Sequence, residues 1–208
     1  MTPATKLNKF SSALVGWACF HTQWKVDFNS YALKTNHGIV FIDPTMPAPA
    51  VLKQLETLGD PLAIVLTNAH HERDADAFRK KFDIQIFAHE KARSDCDTKI
   101  DVLVLDGEKV PGGLKAIYLP GSTDSEMAFY TKMDGGVLLI GDALLNLPAK
   151  GVALLPEPYI EDRKQALQSA RKLLELEFKI VTFAHGDPLV ENAKRQLTRF
   201  LNQPRKKI

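Results

Sequence analysis

The chain reads as an α/β (α+β) fold: two mixed β-sheets packed face to face with helices outside. Three observations lead there. Short apolar runs closed by Gly, Pro or Asn recur along the whole length, which is how buried strands look in sequence. Some of these runs are joined by tight turns and others by amphipathic helical stretches, so hairpins and parallel crossovers must coexist. Helical stretches occur in both halves, which argues against one purely parallel doubly wound sheet and for two sheets, each covered on its outer side.

The elements follow in order. Trp17, Phe20 and Trp24 lie in a strand-like but interrupted context and read as core or cavity lining, not membrane contact. Residues 27–33 alternate polar and apolar, Asn36-His37-Gly38 offers a turn, and residues 38–42 run apolar up to Asp43-Pro44, giving a β-hairpin. Residues 49–58 carry Val51, Leu52, Leu55 and Leu58 at helical spacing, and Gly59-Asp60-Pro61 ends that helix. A strand at 63–66 follows. Between Asp74 and Phe82, Ala75, Phe78 and Phe82 share one helical face while Arg79, Lys80 and Lys81 face water, and 84–88 is a further strand. Apolar runs at 102–105 and 114–119 are separated by Asp106-Gly107 and Pro111-Gly112-Gly113, and those at 127–130 and 137–140 extend the antiparallel sheet. A long helix is predicted over 162–178, then a strand at 180–183 and a last helix over about 189–201.

Composition bounds the rest. A length of 208 residues with 45% hydrophobic content supports one core, hence a single domain over 1–208. The 27 basic and 25 acidic residues nearly cancel, which excludes a surface built to neutralise a nucleic-acid backbone, and Arg205-Lys206-Lys207 is expected to be a solvated end. Cys19 and Cys96 are far apart and in no ligand-like spacing, so free thiols in a reducing compartment are expected. Residues 1–12 hold no apolar stretch suited to a signal peptide and no segment approaches a membrane span, so the expectation is a soluble cytoplasmic protein without membrane contact. There is no internal repeat.

Four polar clusters sit where apolar runs end: Thr67-Asn68-Ala69-His70-His71-Glu72-Arg73-Asp74, Pro120-Gly121-Ser122-Thr123, Gly141-Asp142, and Ala184-His185-Gly186-Asp187. Sites in α/β folds gather beyond the carboxyl ends of strands, so these clusters predict one polar pocket. In order and surroundings they resemble the metallo-β-lactamase fold superfamily, whose metal-binding signatures run THxHxDH, PGHT, GD and a late HG. The chain departs from that pattern at Asn68, Glu72 and Arg73, where the first signature has His, Asp and His, and at Ser122, where PGHT has its His.

The resemblance implies an αββα sandwich over residues 29–201 and a reduced, at most mononuclear site for zinc or iron, or a site without any ion. It places His70, Asp142 and His185 as metal ligands, with Glu72 as a further donor and a free carboxylate oxygen as base. Asn68 and Ser122 are neutral, weak ligands. Arg73 cannot ligate a metal, and its charge is expected to stand in for a lost ion by pairing with Asp142 or Glu72. A one-residue shift of register would instead bring His71, Arg73 and Asp74 into the spaced positions, at the expense of Ala69 where the first ligand belongs. Asp43 is expected to support the loop by hydrogen bonds without touching metal. His89 follows a strand but matches no ligand motif, and His21 and His37, near the hairpin, are expected to face solvent or to be structural. The implied activity is hydrolysis of a small ester, thioester, lactone or phosphoester. The alternative is an inactive relative in which Arg73, His70, His71 and His185 bind an anionic small molecule without metal. Val152, Leu154 and Leu155 are expected either to cover the pocket or to join a second copy in a homodimer.

Overall fold

A computed structural model describes residues 1–148 and 150–203; the basic tail Arg205-Lys206-Lys207 lies outside the described residues. The first sheet holds β1 (Asn8–Lys9), β2 (Leu14–His21), β3 (Val26–Thr35), β4 (Gly38–Ile42), β5 (Pro61–Val65), β6 (Gln85–His89) and β7 (Val102–Val104), in that spatial order. Pairing is antiparallel from β1 to β4 and parallel from β4 to β7. Parallel neighbours need crossovers, and α1 (Pro49–Glu56) and α2 (Ala75–Phe82) supply the first two. Helix α1 starts on a proline, whose fixed φ suits a first turn, and buries Val51 and Leu55 against the sheet.

The second sheet runs β14 (Ile180–Thr182), β11 (Val137–Ile140), β10 (Met127–Thr131), β9 (Leu114–Tyr118) and β8 (Lys109–Val110). Only β11 and β14 pair in parallel, linked through α3 (Arg163–Arg171). A small hairpin, β12 (Leu145–Leu147) with β13 (Gly151–Ala153), leaves the sheet after β11, and α4 (Ala193–Leu201) closes the described chain.

Alternation along the strands sorts side chains into three apolar layers. Val137 and Leu139 of β11 meet Leu33, Val40 and Val65 between the sheets, while Leu138 and Ile140 turn outward against Ala166, Ala170 and Leu197 of α3 and α4. On the other side Phe41, Ile64 and Ile86 pack under Leu55 and Phe78 of α1 and α2. The result is the predicted layering of helices, sheet, sheet and helices.

Two helices are shorter than their sequence pattern. The stretch over 162–178 stays helical to Arg171, tightens into a 3-10 turn at Lys172–Glu175 and is extended by Leu176. The last helix begins at Ala193, because Leu189 bridges antiparallel to Val181 and Asn192 takes a left-handed conformation. Leu154 belongs to the core, Val152 packs against it and Leu155 lines a cavity. Among the described residues no helix is long and apolar enough to cross a membrane.

Candidate metal centre

The site grows from one buried carboxylate. Asp43 follows β4 in a left-handed conformation (φ 46°), which turns its side chain back toward the end of β5. There it accepts hydrogen bonds from the Thr67 amide at 2.8 Å and the Thr67 hydroxyl at 2.5 Å, and lies 3.0 Å from His71 Nδ1. Asp43 therefore holds the loop after β5, as the sequence implied, and also fixes one ring of the site.

That loop coils into a 3-10 turn at Ala69–His71. Successive side chains on such a turn point about 120° apart, so neighbouring histidines cannot share a face. His71 points inward and is buried, whereas His70 is exposed at the cavity wall. The structure thus brings His71, not His70, to Asp142 and His185. His71 Nε2 is 3.3 Å from Asp142 Oδ2, and His185 Nε2 is 3.5 Å from Asp142 Oδ1. One donor atom from each of the three lies within 4.8 Å of the others, and no second such group exists among the described residues.

Asp142 emerges from β11 behind Gly141. A Cβ at Gly141 would collide with Thr67 Oγ1 and Glu126 Oε1, so only glycine lets the two loops close on the site. His185 follows β14. Its Nδ1 meets the Asp27 carbonyl at 2.7 Å, and its ring edge abuts Phe28 at 5.2 Å between centroids. Beside it Gly186 (φ 87°) passes so close to the Asn146 carbonyl that any side chain would clash.

These partners decide which ring nitrogens are free. A carbonyl oxygen can only accept, so His185 Nδ1 carries the proton, and the Asp43 carboxylate selects the same state for His71. Both Nε2 lone pairs then face the Asp142 carboxylate. Lone pairs aimed at an anion repel it unless a cation, either a proton on one ring or a metal ion shared by all three, sits among them. Two imidazoles and one carboxylate, each imidazole backed by an acceptor, are a donor set that would suit zinc or iron.

Without an ion, the electrostatics supply that cation as a second proton on His71, at Nε2. Burial opposes charge on His71, but Asp142 and Asp43 outweigh it and raise the imidazole to about 9. Burial likewise opposes charge on Asp142, yet His71 beside it holds the carboxyl far below its ordinary range. Burial keeps His185 neutral, pushed down to about 4 with Arg73 and His71 adding to the effect, against the pull of Asp142.

The other predicted residues lie around this triad. Arg73, left-handed at φ 41°, stacks its guanidinium 4.8 Å over Phe28 and donates from Nη1 to the carbonyls of Asn29 (2.5 Å) and Asp43 (3.2 Å). Among the described residues it forms no ion pair with Asp142 or Glu72; only Nη1 is engaged, by those two carbonyls, while the guanidinium charge still helps to hold the Asp142 carboxyl down. Glu72 turns away, accepting from the Thr98 amide at 2.6 Å. Asp74 accepts from the Met46 amide at 2.7 Å and so ties two loops together outside the triad. His89 stacks on Tyr118, far from these groups in role and partners.

Asn68 and Ser122 meet each other's partner instead of the triad. Asn68 Nδ2 and Ser122 Oγ both donate to Glu126 Oε2, at 2.9 and 3.1 Å. Glu126 has no exposed surface, and its Oε1 has no hydrogen-bond partner. Burial, reinforced by the Asp142 charge, raises its carboxyl to about 8, so it is largely neutral at pH 7. The sequence reading missed Glu126. The available signal was an acid directly before the apolar strand β10, with two neutral donors, Asn68 and Ser122, needing an acceptor.

A family model described as metallo-beta-lactamase superfamily matches residues 7–202. Nothing among curated proteins matches the chain. Among solved structures, the BLEG-1 B3 metallo-beta-lactamase superposes with a TM-score of 0.71 at 22% identity, covering 90% of this chain and 100% of its own. The DIM-1 metallo-beta-lactamase exposed to ceftazidime gives 0.77 at 14% identity, covering 97% and 98%. The protein TTHA1623, in a di-iron-bound form, gives 0.63 at 23% identity, covering 78% and 89%. At these identities the likeness is one of fold. The match reaches upstream of the four polar clusters and takes in β1 and β2.

Proposed function

We infer the activity from one premise: the chain belongs to the metallo-beta-lactamase superfamily. Our reading is a metal-dependent hydrolase that works with a single zinc or iron ion held by His71, Asp142 and His185. The observation that carries it is the convergence of one ring nitrogen from each of two histidines and one carboxylate within 4.8 Å. A bound ion supplies Lewis acidity, ionising water near neutral pH and polarising a carbonyl oxygen.

The chain's own residues do the remainder. Asp43 and the Asp27 carbonyl hold both rings with Nε2 turned to Asp142, which removes the cost of ordering them during reaction. Asp142 has two oxygens, and its Oδ1 receives no hydrogen bond, so one oxygen can bind while the other accepts a proton from the attacking water. In ester hydrolysis the water oxygen ends on the acyl carbon, the acyl–oxygen bond breaks, and the proton leaves with the alcohol. Glu126 fills the space beside the triad with a hydrogen-bonded carboxyl, in keeping with a site of one ion.

Two free cysteines support a reducing compartment such as the cytoplasm. The alternative, a metal-free binder of anions, would draw on Arg73, whose Nε and Nη2 have no hydrogen-bond partners. It is the weaker reading, because Arg73 is not among the residues that line the cavity. The test is elemental analysis of protein purified without chelator, followed by hydrolysis of a chromogenic ester before and after metal removal. About one zinc or iron per chain with metal-dependent turnover supports the hydrolase; no metal after supplementation overturns it.

A further inference from the structure

Asp142 and His185 of the triad line a cavity of about 730 Å³, within the range of pockets that hold small organic ligands, with His71 buried outside its lining. Three separate elements wall it. Val26 comes from the start of β3, Leu145 and Leu147 from β12, and Leu155 and Ile160 from the segment that follows β13. Pro156 and Pro158 stiffen that segment, so its wall is formed in advance of binding. At the rim stand Trp24 and Tyr159, 66% and 70% exposed. Two large aromatic side chains left in water beside an apolar cavity are unusual for a surface with no binding role.

Charge is as informative as shape. The ionisable residues that line the cavity are His70, Asp142, Glu161 and His185, and among the described residues no Lys or Arg joins them. A phosphate, sulfate or carboxylate away from the metal position would face Glu161 and apolar carbon without a fixed cation, and would lose its hydration for nothing. A neutral carbonyl compound with an apolar chain or ring meets no such loss. Its carbonyl can reach the polar floor while its apolar part covers the leucine wall and the two aromatic rings.

We propose that the cavity selects an uncharged carboxylic ester, thioester or lactone bearing an apolar acyl or alkyl group, and rejects phosphoesters and other anionic substrates. The proposal rests on the hydrolase reading for the word substrate, but the selectivity of the walls is measurable without turnover.

Full-length protein as purified is titrated with N-phenyl-1-naphthylamine, a neutral probe that fluoresces in apolar surroundings, and the bound probe is challenged with 2-nonanone or octyl sulfate. The ketone should displace the probe and octyl sulfate, an anion with a comparable tail that ligates metals weakly, should not at equal concentration. The double variant W24A/Y159A removes both rim rings, of which Trp24 also packs on His21 and Phe28, and should weaken probe binding roughly tenfold, with the metal content of the folded protein unchanged. Displacement by octyl sulfate as effective as by the ketone overturns the proposal, as does wild-type affinity in the double variant. Probe binding in protein that never takes up metal would remove the hydrolase reading and leave this selectivity standing, whereas stoichiometric metal with no probe binding would do the reverse.

Discussion

Replacing Asp43 by Asn tests how the second layer of contacts sets the chemistry of the site. Asp43 receives the Thr67 amide, the Thr67 hydroxyl and His71 Nδ1, all buried. In the Asp43→Asn variant the amide oxygen can keep the Thr67 N–H, while the new NH₂ faces the hydroxyl and the imidazole. Thr67 Oγ1 then accepts from the amide and can turn its own proton to His71 Nδ1, 2.8 Å away, which favours the ring proton on Nε2. That proton points at Asp142, into the position a metal would take. Loss of one charge-assisted contact predicts a destabilisation of about 1.5–3 kcal/mol, read from urea unfolding at unchanged slope. Loss of the correct tautomer predicts a fall in zinc affinity of about 10–100-fold, read by competition with a chromogenic chelator. Zinc binding as tight as in the wild type would refute the tautomer argument, whatever happens to stability.

Glu126 makes stability pH-dependent. Its carboxyl titrates near 8 in the folded chain against an ordinary 4.5, so between those values the folded state holds the extra proton and stability falls as pH rises. Urea unfolding from pH 5 to pH 8.5 should show that decline in the wild type and a flatter profile in Glu126→Gln; equal slopes would count against burial as the cause. Phe129, fully buried between the sheets, should cost about 3–5 kcal/mol when replaced by Ala, and a loss under 1 kcal/mol would mean the sheets do not pack as described. Glu72→Ala removes an acceptor for the Thr98 amide and should lower stability by about 1 kcal/mol while leaving metal content intact; loss of metal would return Glu72 to the centre.

The layered fold was legible because its signals are local. The unbroken apolar run of β11, buried along its whole length, and the proline and glycine stops around α1 are written in neighbouring residues, and the strands and helices followed them. Helix ends were less legible: Leu189 has the spacing of the last helix, but its backbone is taken by Val181, a partner visible only in three dimensions. The site was legible in outline, since Asp142 and His185 stand at strand ends where expected. Its fine register was not. Whether His70 or His71 faces inward depends on the loop after β5 tightening into a 3-10 turn and on Asp43 reaching across from β4, and spacing within one signature carries neither fact. Glu126 was hidden for a related reason, because its role appears only when Asn68 and Ser122, distant in sequence, turn toward the same oxygen.

The most direct measurement compares bound metal in His71→Ala and His70→Ala, each purified without chelator and supplied with zinc. The geometry predicts that His70→Ala keeps about one ion per chain, as the wild type does, and that His71→Ala loses it. Retention of zinc by His71→Ala together with its loss from His70→Ala would contradict the assignment of His71, Asp142 and His185 as the metal centre.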